Sequence, residues 1–238
     1  MRVLTIAAVL LVVVHQAAPV ASGRRAPITA AAEQTAPRQE PAATTLPAEI
    51  PLFPLAEVVL FPGVSRPLLI FEPRYRAMVA DALKGDKIIG MVRLRPGYEK
   101  DYEGRPPIDS IGSAGVIADY EQSPDGRYAI LLRGLTTFRV ISEDQRKPYR
   151  LARVEPIQQV LKDEERTSLS TLRERIAQRL DVVLPLGVEP PDPSLEDTQY
   201  INVVAQALNM PEESRQRLLE QNSVLARARM LAEQLDGR

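Results

Sequence analysis

Apart from one short helical stretch after Pro73, the chain changes its apolar period near residue 157, and that change limits what it can fold into. Upstream, from Glu49, short apolar runs are separated by prolines and glycines. Downstream, Leu169, Leu172, Ile176, Leu180 and Val183 recur every three or four positions. Alternating runs bury one face of a sheet, whereas a three-to-four spacing buries one stripe of a helix. Strands and helices should therefore segregate along the chain, in an α+β arrangement.

Within 49–157 the punctuation is dense. Val58-Val59-Leu60-Phe61 reads as a β-type run closed by the turn pair Pro62-Gly63, and Leu68 to Phe71 as a second. Pro73 suits the first turn of a helix carrying Tyr75, Met78, Val79 and Ala82 on one face, stopped by Lys84-Gly85-Asp86. Strands are expected over 88–94 and 114–120, with a polar loop over 96–107 between them. Ser123-Pro124-Asp125-Gly126 is a hairpin turn, because Pro sets φ and Gly tolerates positive φ. Further strands are expected over 128–132, 137–141 and 149–154, the first two flanking Gly134. Short strands at short intervals with one inserted helix predict a curled sheet or partial barrel. The region 158–238 is expected to be helical. Pro185 ends its first helix and Ser194 with Asp197 offers a capping box. Pro211 opens a third helix, and Asn222-Ser223 precedes a last one. The last stripe covers only two heptads, so intramolecular packing is expected rather than a coiled coil.

The N-terminus reads as an address. Met1-Arg2, a nearly unbroken apolar stretch over 3–14 and small residues up to Gly23 have the three-part layout of a secretory signal peptide. The apolar stretch is short for a membrane span. Cleavage after Ser22 or Gly23 and a periplasmic or secreted location are expected, the alternative being an anchored, uncleaved leader. Residues 24–48, rich in Ala and Pro, read as a disordered spacer with too little apolar surface to fold.

Composition excludes several chemistries. There is no Cys, and the one His, His15, lies in the leader. Ser-His-Asp and Cys-His catalysis, and zinc sites built on imidazole or thiolate, have no ligands in the remainder. Thirty basic against thirty-one acidic side chains leave a net charge of −1, so no broad field attracts nucleic acid. Asp81 and Asp86 lack the ligand count of a calcium site, and no metal or cofactor is expected. Nothing in the spacing supports a Ser-Lys pair, so no catalytic residue is assigned. Glu72 and Arg74 are read as pairing with the backbone or each other, and Phe53, Phe61 and Phe71 as core rather than a ligand platform.

The segments Ile50-Pro-Leu-Phe-Pro-Leu55, Val58-Val-Leu-Phe-Pro-Gly63 and Pro67-Leu-Leu-Ile-Phe-Glu-Pro-Arg-Tyr-Arg76 together resemble the N-terminal domain of Lon proteases. Ile111-Gly112-Ser-Ala-Gly115, Asp125-Gly-Arg127 and Gly134 followed by Thr-Thr-Phe-Arg139 keep the order of that family. The likeness extends over about 49–236. It implies a PUA-like pseudo-barrel followed by a helical bundle, and a region that in Lon helps to recognise polypeptide substrates and assemble the hexamer. It also implies structural roles for Phe61, Pro62, Gly63, Phe71, Glu72, Pro73, Arg74, Tyr75, Gly112 and Gly134. The sequence contains no G-x-x-x-x-G-K-[ST] phosphate loop, so it is similar to stand-alone Lon substrate-binding proteins. Export would separate it from a cytosolic ATPase.

The expected function is non-enzymatic binding of polypeptide. Tyr98 and Tyr102, set among charged residues, are the candidate contacts, because tyrosine offers area at low entropic cost. An exposed sheet edge could add strand pairing. The alternative is a structural adaptor that docks one folded partner through its helical tail. Nucleic acid is not an expected partner, nor is stable membrane insertion after leader cleavage.

Overall fold

The computed structural model describes residues 45–159, 161–184 and 188–237. The expected leader over 1–23 and most of the spacer over 24–48 lie outside the described residues.

The first half is a six-stranded mixed sheet. Its strands are β1 (Glu49–Leu55), β2 (Ser65–Ile70), β3 (Ile88–Arg93), β4 (Ile111–Gln122), β5 (Tyr128–Asp144) and β6 (Arg150–Ile157), with helix α1 (Pro73–Lys84) inserted after β2. The order is β2-β5-β4-β3-β1-β6, and β5 also pairs with β6. β1 and β3 run parallel, Leu52 opposite Gly90, while the other pairs are antiparallel.

Local chemistry accounts for the elements. Glu72 is extended (φ −65°, ψ 135°) and Pro73 follows at the first helical position, so α1 starts there. Tyr75, Met78, Val79 and Ala82 are its buried face. The β4–β5 hairpin turns at Gly126, whose φ of +81° suits a residue without Cβ. The Gly126 N–H donates to the Ser123 carbonyl at 2.8 Å.

The second half is helical: α2 (Asp163–Val183), α3 (Asp197–Ala207), α4 (Glu212–Leu219) and α5 (Val224–Asp236). Leu169, Ile176 and Leu180 of α2 pack with Val204, Leu218, Ala228 and Leu231 in one core. α5 starts cleanly because the Ser223 hydroxyl accepts the Ala226 N–H at 3.1 Å. The guanidinium groups of α2 pair with acids of the same half. Arg173 pairs with Asp197 at 2.6 Å and lies 4.4 Å over the Tyr200 ring, and Arg175 and Arg179 both reach Asp236.

Four expectations differ. Residues 58–61 are not a strand; the run is a buried connector, apolar because it serves two cores. Leu60 joins the cluster beneath α1, and Val59 and Phe61 join the helical cluster. The runs at 128–132 and 137–141 are one strand, β5, since Gly134 marks a bulge rather than a break. Gly115 faces Gly134 while Ala114 faces Thr136, leaving Leu135 as the extra residue. Ser194 caps no helix: α3 begins at Asp197 after Glu196, and the Ser194 N–H instead donates to Asp192 at 2.8 Å. Phe71 is not core. It is 60% exposed, as is Leu69: alternation along β2 turns Leu69 outward and Ile70 inward, and Phe71 follows just past the strand's end.

Candidate functional site

The family-type residues gather at two places. The first joins sheet to helices. Gly63 (φ +79°) follows Pro62, and its N–H donates to the Gly134 carbonyl at 2.9 Å; the Gly134 N–H returns to Val64 at 2.8 Å. The backbones touch so closely that a Cβ on Gly134 would lie 2.2 Å from the Phe61 oxygen. Phe61 is thereby aimed into the helical core, with the Arg227 guanidinium 5.4 Å from its ring. Asn202 donates to the Pro62 carbonyl at 3.0 Å and Gln216 to the Ile111 carbonyl at 2.9 Å, so polar groups tie the two halves as well.

Arg227 is wholly buried there. Its partners are neutral: the Leu218 carbonyl at 2.9 Å, Asn202 Oδ1 at 2.6 Å and Gln159 Oε1 at 2.9 Å. Burial pushes its guanidinium down to about 10. Gly112 plays a quieter part nearby, since a Cβ there would lie 2.4 Å from the Met91 carbonyl on β3.

The second place is open. A cleft of about 280 Å³ lies where the end of β1, the start of α1, the 95–107 loop and the β5–β6 turn converge. Its walls include Arg74, Tyr75, Tyr102, Arg105, Tyr149 and Arg150. Glu72 organises one side: it accepts Arg74 Nε at 2.9 Å and the Tyr102 hydroxyl at 2.6 Å. Arg74 also donates to the Tyr102 carbonyl at 3.2 Å, and its guanidinium lies 4.7 Å from the Tyr75 ring and 5.0 Å from the Tyr102 ring. Tyr75 packs edge-on against Phe53 at 4.7 Å.

On the other side Arg150, only 6% exposed, donates to both Glu143 oxygens at 3.1 and 3.3 Å and to the Pro106 carbonyl. Arg105 holds the Asp144 carbonyl at 3.1 Å and stands 3.9 Å from Glu143. Asp81 accepts from the Tyr149 hydroxyl at 2.9 Å and from Lys147 at 3.0 Å. Burial, with some help from Asp81, raises the Tyr149 phenol to about 12, and burial does the same to Tyr75, so both remain protonated donors.

Tyr98 and Tyr102 are thus near neighbours, 6.2 Å apart, but unequal. Tyr102 lines the cleft and is held by Glu72 and Arg74. Tyr98 opens a short 3-10 turn over Tyr98–Asp101 and lies outside the cleft lining. Both are half-buried. Phe71, one residue before Glu72, points away into solvent.

Residues 49–237 match the family model described as the ATP-dependent protease La (LON) substrate-binding domain. The chain belongs to this Lon substrate-binding domain family. The matched region is that domain and not the ATPase or protease domain of a Lon. Lon protease of Anaeromyxobacter dehalogenans is 26% identical over 200 residues, 80% of this chain and 23% of that protein. Lon protease 2 of Myxococcus xanthus is 27% identical over 200 residues, 80% of this chain and 24% of that protein. The chain therefore spans about a quarter of the length of these curated relatives. The crystal structure of a Lon N-terminal domain protein from Xanthomonas campestris is similar with a TM-score of 0.53 at 25% identity, covering 78% of this chain and 97% of that one. The N-terminal domain of a Mycobacterium avium complex Lon protease gives a TM-score of 0.60 at 15% identity, over 79% of this chain and 98% of that one, and shares the fold.

In this Lon substrate-binding domain the motif residues divide by role. Phe61, Pro62, Gly63 and Gly134 build the junction, whereas Arg74 and Tyr75 line one wall of the cleft, with Glu72 holding Arg74 from outside the lining and Pro73 opening their helix. Sequence reasoning missed Arg105, Lys147, Tyr149 and Arg150. Each is one polar residue in a loop or at a strand end, and only the β5–β6 turn folding back toward α1 gives them a common surface.

Proposed function

We propose that this Lon substrate-binding domain is a non-enzymatic polypeptide-binding module. The match of 49–237 to a substrate-binding domain carries the reading. The open cleft supports it, because tyrosine and arginine faces are effective recognition groups. The finer architecture we infer is a PUA-like pseudo-barrel. The strand pairing supports it, since it passes β5-β4-β3-β1-β6 and returns to β5. The tripartite leader pattern supports export to a periplasmic or extracellular location.

The chain contains no Trp, so a Trp-bearing polypeptide reports binding on a dark background. The full chain is titrated into such a polypeptide held unfolded, and into the same polypeptide folded. Saturable binding of the unfolded form is expected. Absence of binding to the unfolded form refutes the reading, and binding of only the folded form replaces it with the adaptor role.

A further inference from the structure

The cleft has a charge pattern that generic polypeptide binding does not require. Four cations line it, Arg74, Arg105, Lys147 and Arg150, against one lining acid, Glu103. The acids that hold these cations, Glu72, Asp81 and Glu143, stand outside the lining. They fix each cation, and the four cationic side chains line the cavity. A guanidinium carries five N–H donors. Among the described residues Arg74 uses its donors on Glu72 and Tyr102, and Arg105 on the Asp144 carbonyl and the distant edge of Glu143. Both keep donors in hand.

Glu143 shows what these groups accept. Its carboxylate takes two bonds from Arg150 and lies 3.9 Å from Arg105. Arg150 is itself more than nine-tenths buried, which makes it a fixed floor rather than a mobile surface charge. Burial lowers its guanidinium and Glu143 raises it, with smaller lowering from Arg105 and Arg74, so the three cations share one electrostatic environment. Each cation already has an acidic partner, so a bound carboxylate would gain charge-assisted hydrogen bonds from the remaining N–H groups. The Tyr75, Tyr102 and Tyr149 rings, with Pro54, Pro106 and Pro148, supply apolar walls beside the charge.

We propose that this cleft binds a carboxylate of an extended polypeptide, with Arg74, Arg105 and Arg150 as its donors and the tyrosine rings packing the adjoining residue. The proposal rests on the polypeptide-binding reading and adds to it a chemical preference. Planar guanidinium forks match carboxylate geometry, and the small volume suits one or two residues. Two sources share this chemistry: the chain terminus and an Asp or Glu side chain.

Fluorescence anisotropy with three labelled ten-residue peptides tests it on the full chain. One ends in a free carboxylate and contains no acidic side chain. One is amidated with an internal Glu. One is amidated and has no acid. The carboxylate-bearing peptides should bind at least about tenfold more tightly than the third, the worth of a charge-assisted hydrogen bond. Which of the first two binds more tightly identifies the source. Arg105, partly exposed, can be changed without emptying the core. Arg105→Gln should weaken carboxylate peptides about five- to tenfold and leave the uncharged peptide unmoved. Glu103→Gln should tighten them, a direction that a purely structural role would not give. Equal affinity for all three peptides, or no effect of Arg105→Gln, overturns the carboxylate preference while leaving polypeptide binding intact. Failure of all three peptides and of the unfolded polypeptide overturns both readings.

Discussion

Gly134→Ala isolates the junction between sheet and helices. Gly134 is not among the positive-φ glycines, so the substitution meets no left-handed backbone penalty. It introduces a methyl group 2.2 Å from the Phe61 oxygen, 2.9 Å from the Phe61 carbonyl carbon and 3.2 Å from Pro62 Cα. All are backbone atoms and cannot swing aside. Overpacking of this kind costs about 1–3 kcal/mol. Relief by separation would stretch the Gly63–Gly134 and Gly134–Val64 hydrogen bonds, each worth about 1 kcal/mol. The expected loss is about 2–4 kcal/mol, or ~5–15 °C in Tm for a chain of this size. Urea unfolding followed by far-UV circular dichroism measures it. Gly97→Ala is the contrasting variant: φ is +87° and no atom stands within 4 Å of the added Cβ, so only the left-handed backbone cost of about 1 kcal/mol applies. A Gly134→Ala loss below about 0.5 kcal/mol, or one no larger than that of Gly97→Ala, would refute the close-approach argument.

Other substitutions separate core from surface. Phe61→Ala should cost about 3–5 kcal/mol by emptying the helical core, whereas Phe71→Ala should change stability by less than about 0.5 kcal/mol; the same urea titration reads both. Ser223→Ala should cost about 1 kcal/mol through loss of the α5 cap, visible as a lower denaturation midpoint at unchanged slope. The phenols of Tyr75 and Tyr149 are raised to about 12 from an ordinary value of 10, so the unfolded chain releases those protons first. Their contribution to stability is complete below pH 10 and is lost as pH climbs toward 12. Ultraviolet titration of tyrosinate should show a late-titrating pair, absent in urea.

The helical half was largely legible because its signal is local. The stripe from Leu169 to Leu180 and the Ser223 cap need only neighbouring residues to be understood. The sheet half was less so where an apolar run served something other than a strand. Val58 to Phe61 looks like a strand from composition, yet it feeds two cores, and no local pattern announces that. Gly134 looks like a break between strands, although its real role depends on a backbone some seventy positions upstream. The candidate site shows the same limit. Glu72 and Arg74 sit two positions apart, and their pairing was expected from the sequence. Arg150 and Arg105 share Glu143 only because β5 and β6 turn back toward the 95–107 loop.

The connector over 58–61 has a consequence for the order in which the protein is made. Leu60 completes the sheet core, but the pocket for Phe61 is built from residues around Val204, Leu218 and Leu231. A ribosome delivers those residues well over a hundred positions later. The nascent sheet half therefore emerges with one aromatic plug and no socket, and its junction turn must wait for α3 to α5 before it can lock.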